Sequence, residues 1–292
     1  MAALVRKRGI AIFTTGRWVV CLALLGGVVH ATPKTKGTSS TNLAFVLLSK
    51  PVLPKDVDVA RAYAQFAKGE SLRVEGTKSD GTTPVATFDL GTHGTAFVAL
   101  MQAPVPKGEA EAAARFSLSS LGTDWKLPPH QAHLVVTLQF GAGDKPVETL
   151  QRFTSLLAAV TQVSPAVGVY WGEAHATHDP KFVVAMAAAP DVFARLVLWN
   201  GVSVANEGTA RVSLLSLGMK QLGLPNLLLT VPRAKTGDAL PTLFDLLGYV
   251  MDRGSPLPEG DTVGPTEHDK WKVHYVASPI DPKEQVWRVE LP

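Results

Sequence analysis

The chain has 292 residues, of which 46% are apolar and 18% are charged, and it contains one cysteine. These values exclude an intrinsically disordered chain, a collagen-like repeat, a coiled coil and a disulfide-stapled miniprotein. A chain of this length can bury roughly 75% of the surface that its unfolded form exposes, so we predict one or two globular domains with a full-sized core.

The first 31 residues have the layout of a secretory signal peptide. Four basic residues and no acidic residue precede Trp18, an apolar run follows, and Ala31 is a small residue at the expected cleavage point. The uncharged run over residues 18–30 has 13 residues, whereas a membrane-spanning helix needs roughly 20. We therefore predict an exported protein, secreted or periplasmic, without a membrane span in the mature chain. An uncleaved N-terminal anchor is the alternative.

Removal of this segment changes the charge balance. It takes away four of the 28 basic side chains and none of the 25 acidic ones, which leaves a net charge near −1. Because this balance lacks the basic footprint of a nucleic-acid-binding protein, nucleic acid is not a predicted partner. Cys21 is the only cysteine and lies in the same segment. The mature chain therefore has no thiol for a disulfide, a nucleophile or a metal ligand.

The first half of the chain is predicted to alternate between strands and helices. Residues 32–41 are small and polar, which is typical of a flexible tether, so the folded part is expected to begin at residue 42. Hydrophobic periodicity then predicts strands at residues 43–48, 72–75, 85–90, 95–101 and 133–140, and helices at residues 56–69 and 109–118. This order is close to the split β-α-β arrangement of ferredoxin-like sheets.

The second half repeats the alternation. We predict helices at residues 146–163, 179–189 and 240–251, and strands at residues 167–171, 196–204, 210–217, 227–231, 271–275 and 287–291. The predicted fold class is α+β, with mixed, largely antiparallel sheets and helices packed on one face. The element order is ferredoxin-like, and its repetition in the second half of the chain is left open. No stretch from residue 42 to residue 292 has the composition of an interdomain linker. We therefore predict a single compact domain, with two similar halves meeting near residue 142 as the alternative.

The richest group of polar residues follows the predicted strand at residues 167–171. Glu173, His175 and His178 supply oxygen and nitrogen ligands that a metal ion could take, and loops at strand ends are where sites gather. The two histidines are three residues apart, a spacing that on an extended backbone does not bring both imidazoles to one point. Asp179 is predicted to cap the next helix. A metal site and an ordinary solvated loop both remain open.

Tyr170 and Trp171, together with Glu173, are the candidate residues for ligand binding, because aromatic side chains serve as groove anchors as well as core residues. Other motifs are incomplete. Residues 141–143 form a Gly-Ala-Gly turn that lacks the third glycine of a dinucleotide fingerprint, and the chain has no H-E-x-x-H and no P-loop. No cofactor is predicted.

Several phrases of the sequence together resemble a known family. They are LAFVLLSK at residues 43–50, GTAFVALMQAPVP at 94–106, AHLVVTL at 132–138, VGVYWG at 167–172, SLLSLGMKQLG at 213–223 and EGDTVG at 259–264. With these phrases the chain resembles the bacterial family called domain of unknown function 4261, through nearly all of residues 42–264. The resemblance implies a bacterial protein and carries over no reaction, ligand or cofactor. It also implies a largely cytoplasmic family, whereas this chain looks exported.

Two functions are compatible with the sequence, and whether the protein is an enzyme stays undecided. We favour a non-catalytic binding or interaction module for a protein or small-molecule partner, because no complete catalytic set is present. The alternative is a metal-assisted hydrolase that uses the loop Glu173–His178, helped by His93 or His133. Convergence of the histidines within about 4–5 Å of one point would favour the hydrolase.

Overall fold

A computed structural model describes residues 40–79, 83–121, 123–141, 143–266 and 268–292. The predicted signal peptide at residues 1–31 and residues 32–39 of the predicted tether lie outside the described residues. The last two tether residues, Ser40 and Thr41, belong to the first strand.

The first part of the chain forms ten strands and helices. They are β1 (Ser40–Leu48), α1 (Asp56–Phe66), β2 (Arg73–Ser79), β3 (Pro84–Asp89), β4 (Thr95–Met101), α2 (Glu109–Ala113), β5 (Ala132–Phe140), α3 (Pro146–Gln162), β6 (Ala166–Trp171) and β7 (Ala176–His178). The hydrophobic periodicity that predicted the strands corresponds to an alternation of buried and more exposed side chains in the structure. In β4, for example, Ala96, Val98 and Leu100 are buried while their neighbours are partly exposed.

The second part forms nine further elements. They are α4 (Pro180–Ala188), α5 (Val192–Trp199), β8 (Gly201–Glu207), β9 (Arg211–Leu217), β10 (Leu227–Pro232), α6 (Thr236–Arg253), β11 (Thr262–Val263), β12 (Trp271–Ala277) and β13 (Gln285–Glu290). Two sequence signals for helix ends are confirmed. The Asp179 carboxylate accepts the Lys181 N–H at 2.8 Å at the start of α4, and Gly254 ends α6 in the left-handed conformation, with φ 67°.

The strands form two sheets. One has seven strands in the order β2-β3-β4-β5-β1-β6-β7, and all of its pairings are antiparallel. The other has six strands in the order β11-β12-β13-β10-β9-β8, in which β10 and β13 are parallel and the remaining pairs are antiparallel. The predicted α+β fold with largely antiparallel sheets is confirmed.

The helices cover the sheets and share one core. Helices α1 and α3 pack against each other and on the seven-stranded sheet, while α6 packs on β9 and β10 of the six-stranded sheet. A continuous cluster of buried apolar side chains runs from Ala44 in β1 to Val289 in β13. Among the described residues, no helix combines the length and the apolarity that a membrane span requires.

Three predicted elements differ from the structure. Residues 196–199, predicted as strand, belong to helix α5, because the Asp191 carboxylate caps Phe193 N–H at 2.9 Å and starts a helix whose Leu196 and Trp199 are fully buried. The helix predicted over residues 109–118 ends at Ala113 and continues as two 3-10 turns. Residues 176–178, predicted in a loop, form the fully buried strand β7.

Candidate functional site

The aromatic residues at the end of β6 are packed in the core. Trp171 lies edge-on against Phe153, with ring centroids 5.2 Å apart, and its indole N–H donates to Gln221 Oε1 at 2.8 Å. Tyr170 is buried on the opposite face of the strand, where it stacks on Phe45 with centroids 5.8 Å apart. Burial raises the pKa of Tyr170 to about 12. The rings of both candidate binding residues, Tyr170 and Trp171, therefore pack against other side chains in the core.

His178 in β7 is fully buried, and both of its ring nitrogens have hydrogen-bond partners. Its Nδ1 lies 2.6 Å from Ser117 Oγ, and its Nε2 lies 3.1 Å from the Leu198 carbonyl oxygen. Because a carbonyl oxygen only accepts, Nε2 carries the proton and Nδ1 accepts from the Ser117 hydroxyl. Burial lowers the pKa of His178 to about 4, so the imidazole is neutral at pH 7.

The hydroxyl network around His178 extends to the next serine. Ser117 Oγ is 2.7 Å from Ser119 Oγ, which accepts the Asp179 N–H at 3.0 Å. A serine hydroxyl on an oriented histidine is the geometry of an activated nucleophile. Here, however, Ser117 is 3% exposed and His178 is 0% exposed, so a substrate in solution does not reach the hydroxyl. The network holds the 3-10 turns at residues 114–120 against β7 and the end of α5.

The three proposed metal ligands point in different directions. Glu173 and His175 are exposed, and His175 ends a 3-10 turn with φ 50°, whereas His178 is turned into the core. The proposed helper His133 contacts the Ala103 carbonyl oxygen through Nδ1 at 2.7 Å, beside Phe45. In the part of the chain that the structure describes, no three His, Cys, Asp or Glu side chains are grouped so as to hold a metal ion.

A cleft of about 410 Å³ lies elsewhere, at the C-terminal end of α1, beside α3 and at the turn between α4 and α5. This volume falls within the range of roughly 300–1,000 Å³ that holds small molecules. Six charged side chains line it: Lys68, Glu70, Glu148, Arg152, Asp191 and Arg195. Lys68 joins two of its walls, because its Nζ donates to the Pro190 carbonyl oxygen at 2.9 Å.

Arg195 is the buried cation of this cleft, with 6% of its surface exposed. Its Nη2 donates to the carbonyl oxygens of Ala187 at 2.8 Å and Phe66 at 3.3 Å, and its Nη1 donates to that of Gln151 at 3.3 Å. Ala187 and Phe66 lie at the C-terminal ends of α4 and α1, where unpaired carbonyls and the helix dipole favour a cation. Burial lowers the pKa of Arg195, but a guanidinium remains charged in proteins. Arg195 therefore joins three helices and places a fixed positive charge beside the cleft.

The carboxylates of the cleft already have partners. Glu70 accepts from Arg152 Nε through both oxygens, at 2.9 and 3.1 Å, and from the Tyr63 hydroxyl at 3.3 Å. Glu148 lies 3.3 Å from Lys145 Nζ, and the Asp191 carboxylate caps α5.

Two cations of the cleft, in contrast, have no carboxylate partner among the described residues. Among the described residues, Lys68 and Arg195 have carbonyl partners and lie next to no carboxylate at ion-pair distance. The six charged side chains of the cleft sum to zero formal charge, but these two cations have no described carboxylate at ion-pair distance, so an acidic group placed beside them would be attracted.

Sequence reasoning missed this cleft. Lys68, Arg152 and Arg195 are separated along the chain, and residue 195 bordered a predicted strand. The available signal was Asp191, which follows Pro190 and precedes an apolar run, the pattern of a helix start. Recognition of that start would have placed Arg195 on a helix, but it would not have placed the helix beside α1 and α3.

Two of the sequence segments that resemble the family, residues 213–223 and 259–264, lie in the six-stranded sheet, and their residues stabilise turns of the backbone there. Within SLLSLGMKQLG, Gly218 has φ 141°, and a Cβ at this position would lie 2.0 Å from the Trp199 carbonyl oxygen. Asn226 Oδ1 accepts the N–H groups of Gly218 and Met219, both at 3.1 Å. Within EGDTVG, Glu259 Oε2 accepts the Tyr275 N–H at 2.6 Å. Gly218 and Glu259 of these two segments therefore have structural roles: they fix the backbone conformation and hold a strand in place.

Comparison with known proteins gives one match. Residues 215–290 match the family model described as Domain of unknown function (DUF4261). No curated protein and no solved structure matches the chain. The match extends from within β9 to the end of β13, whereas the residues of the cleft precede it. The match supports the predicted resemblance to domain of unknown function 4261 over residues 215–290, about a quarter of the chain.

Proposed function

We propose that the protein is an exported bacterial binding module without catalytic activity, whose cleft between α1, α3 and α5 holds a small molecule that carries an acidic group. The observation that carries this proposal is the position of Lys68 and Arg195, two cations without a carboxylate partner among the described residues, on a cleft of about 410 Å³. Arg195 is buried, and a buried charge without a counter-charge is costly, so a ligand that supplies the counter-charge gains affinity. Lys68 is exposed and adds a second cation on the same cleft.

The cleft has donors left for such a ligand. Lys68 Nζ carries three N–H groups and uses one on Pro190, which leaves two for a ligand. Arg152 donates Nε to Glu70, and its Nη2 lies 4.0 Å from Glu148 Oε2. Guanidinium and ammonium groups bind carboxylates and phosphates through short, charge-assisted hydrogen bonds. Phe66 and Val192 add apolar surface to the same cleft. We expect a ligand with one acidic end and a small apolar body.

The environment of His178 supports binding over metal-assisted hydrolysis. A metal-bound imidazole needs a free ring nitrogen, whereas both nitrogens of His178 have hydrogen-bond partners in the core. The hydroxyl of Ser155 in the cleft shares its single proton between the backbone carbonyls of Gln151 and Phe66, and no described base is hydrogen-bonded to it. The cleft therefore has the means to bind an acidic group and lacks a nucleophile–base pair.

Calorimetric titration with succinate, inorganic phosphate and the neutral analogue succinamide tests the proposal. We expect one of the two anions to bind and succinamide not to bind. Lys68→Ala is expected to weaken binding of that anion at least tenfold. Lys50→Ala, an exposed lysine at the end of β1, is the matched control and is expected to leave the affinity unchanged. Equal behaviour of the two variants, or no heat from either anion up to about 10 mM, would contradict the proposed ligand class.

The proposed export rests on residues 1–31 and has its own test. Expression in a bacterial host followed by N-terminal sequencing of the periplasmic or secreted protein should give a chain that begins at Thr32. A protein that stays in the cytoplasm with its first residues intact would overturn the export proposal and leave the binding proposal untouched.

A further inference from the structure

The two sheets end in four outer strands, and three of them are poor partners for another strand. Strand β7 has three residues and β11 has two. Strand β2 carries Arg73, Glu75 and Lys78, and its pairing with β3 shifts between Val74 and Gly76. Short length, charged side chains and bulges are the features that keep sheet edges from pairing with other chains.

Strand β8 lacks these features. It has seven residues and pairs with β9 in one continuous register, from Gly201–Leu217 to Glu207–Arg211. It contains no proline, and its single charged residue, Glu207, pairs with Arg288 Nη2 at 2.9 Å. Among the described strands, β8 is therefore the long outer strand whose residues 203–207 carry no device against pairing, while Gly201 at its start packs against Ala174 and Phe116.

The side chains of β8 expose an apolar centre. Val204 lies in the middle of the strand and is 63% exposed. Its partner in the register, Leu214, is buried in the core on the face where α6 packs on β9 and β10. Helix α6 does not cover Val204, which therefore stays exposed on the same face of the sheet. On the opposite face, Ser203 and Ala205 are small enough to allow close approach of another strand.

We propose that two copies of the chain pair through β8 in antiparallel fashion, so that their six-stranded sheets join into one twelve-stranded sheet. Pairing about a two-fold axis near Val204 brings the valine-bearing faces of both strands together and opposes small residues on the other face. It also provides partners for the backbone N–H and C=O groups on the outer side of β8.

A second copy fits this edge better than a foreign peptide does. Antiparallel pairing about the strand centre opposes like faces, and the apolar Val204 of each copy then covers that of the other. The edge has no free charge to select a charged partner, because Glu207 is neutralised by Arg288 within the chain. One strand pair is a small interface, so we expect dissociation in the micromolar range.

Sedimentation velocity of the purified protein from about 1 to 200 μM tests the pairing. The wild type is expected to shift from monomer to dimer with concentration, and Val204→Lys is expected to weaken the dimer at least tenfold. Val57→Lys replaces a valine of similar exposure, 52%, on α1, and it should leave the dimer intact. A wild type that stays monomeric, or a dimer that both variants leave unchanged, overturns the proposal.

Cross-linking and hydrogen exchange locate the contact. In a Cys21→Ser background, which removes the only native thiol, Val204→Cys is expected to form a disulfide-linked dimer under mild oxidation, whereas Val57→Cys is not. Amide exchange of residues 201–207 should slow as the protein concentration rises. Slow exchange at every concentration would mean that the edge is already protected within a single chain, and this outcome also overturns the proposal.

Discussion

Replacement of Arg195 by methionine is the substitution that probes the helix junction beside the cleft most sharply. Methionine keeps much of the side-chain length and packs well in cores, but it donates no hydrogen bond. The change removes the donor groups that now bond the carbonyl oxygens of Phe66, Gln151 and Ala187. We expect a folded protein of reduced stability.

The size of the loss follows from what each carbonyl retains. Ser155 Oγ remains near the carbonyl oxygens of Gln151 at 3.0 Å and Phe66 at 3.3 Å. Ala187 lies in the last turn of α4, where carbonyls lack an intrahelical partner, and a buried carbonyl left unpaired costs about 1–3 kcal/mol. Loss of a cation at the ends of two helices adds about 0.3–1 kcal/mol for each end. The expected decrease in the free energy of unfolding is about 2–5 kcal/mol.

Urea denaturation followed by tryptophan fluorescence measures this difference. Arg195→Lys keeps the charge without the planar donor fork, so it should recover part of the loss. Arg61→Met, at an arginine whose side chain is 75% exposed and paired with Asp58, is the control and should change stability by less than about 0.5 kcal/mol. If Arg195→Met is as stable as Arg61→Met, the argument that Arg195 joins the helices is refuted.

Three further predictions concern the core. Since His178 has an ordinary pKa of 6.5 and a folded-state pKa of about 4, the unfolded chain takes up its proton first as the pH falls. Stability should therefore drop by about 3 kcal/mol between these pH values, and denaturant titrations of His178→Gln should lack this drop. Ser117→Ala should cost about 1–2 kcal/mol in such titrations, and labelling of wild-type Ser117 by a fluorophosphonate would contradict its enclosed position. Gly218→Ala should cost about 2–4 kcal/mol in thermal unfolding because of its φ of 141° and the nearby Trp199 carbonyl. Gly172→Ala, with open space around it, should be nearly neutral.

Local patterns predicted much of the fold. The strand predicted at residues 95–101 coincides with β4, and the helix predicted from Pro146 coincides with α3 to within one residue. These segments succeed because their apolar spacing matches their burial in the folded chain. Helix α5 was missed because its apolar residues are nearly continuous, and a short apolar run does not distinguish a buried strand from a buried helix.

The candidate site was harder to predict than the fold. Glu173, His175 and His178 are close in the sequence, but the turn at Gly172–Ala174 and strand β7 direct their side chains differently. The cleft instead combines Lys68 from the turn after α1 with Arg152 from α3 and Arg195 from α5. Only the packing of those helices brings the charges together, and no short-range spacing encodes it.

The central claim is that the cleft holds a small acidic ligand. Native mass spectrometry of the protein purified from its own host tests this claim most directly. The wild type should show an added mass that denaturation releases as a small anion, and Lys68→Ala should lose this mass while Lys50→Ala keeps it. A wild type with only the mass of its chain, or an added mass that Lys68→Ala retains in full, would contradict the account.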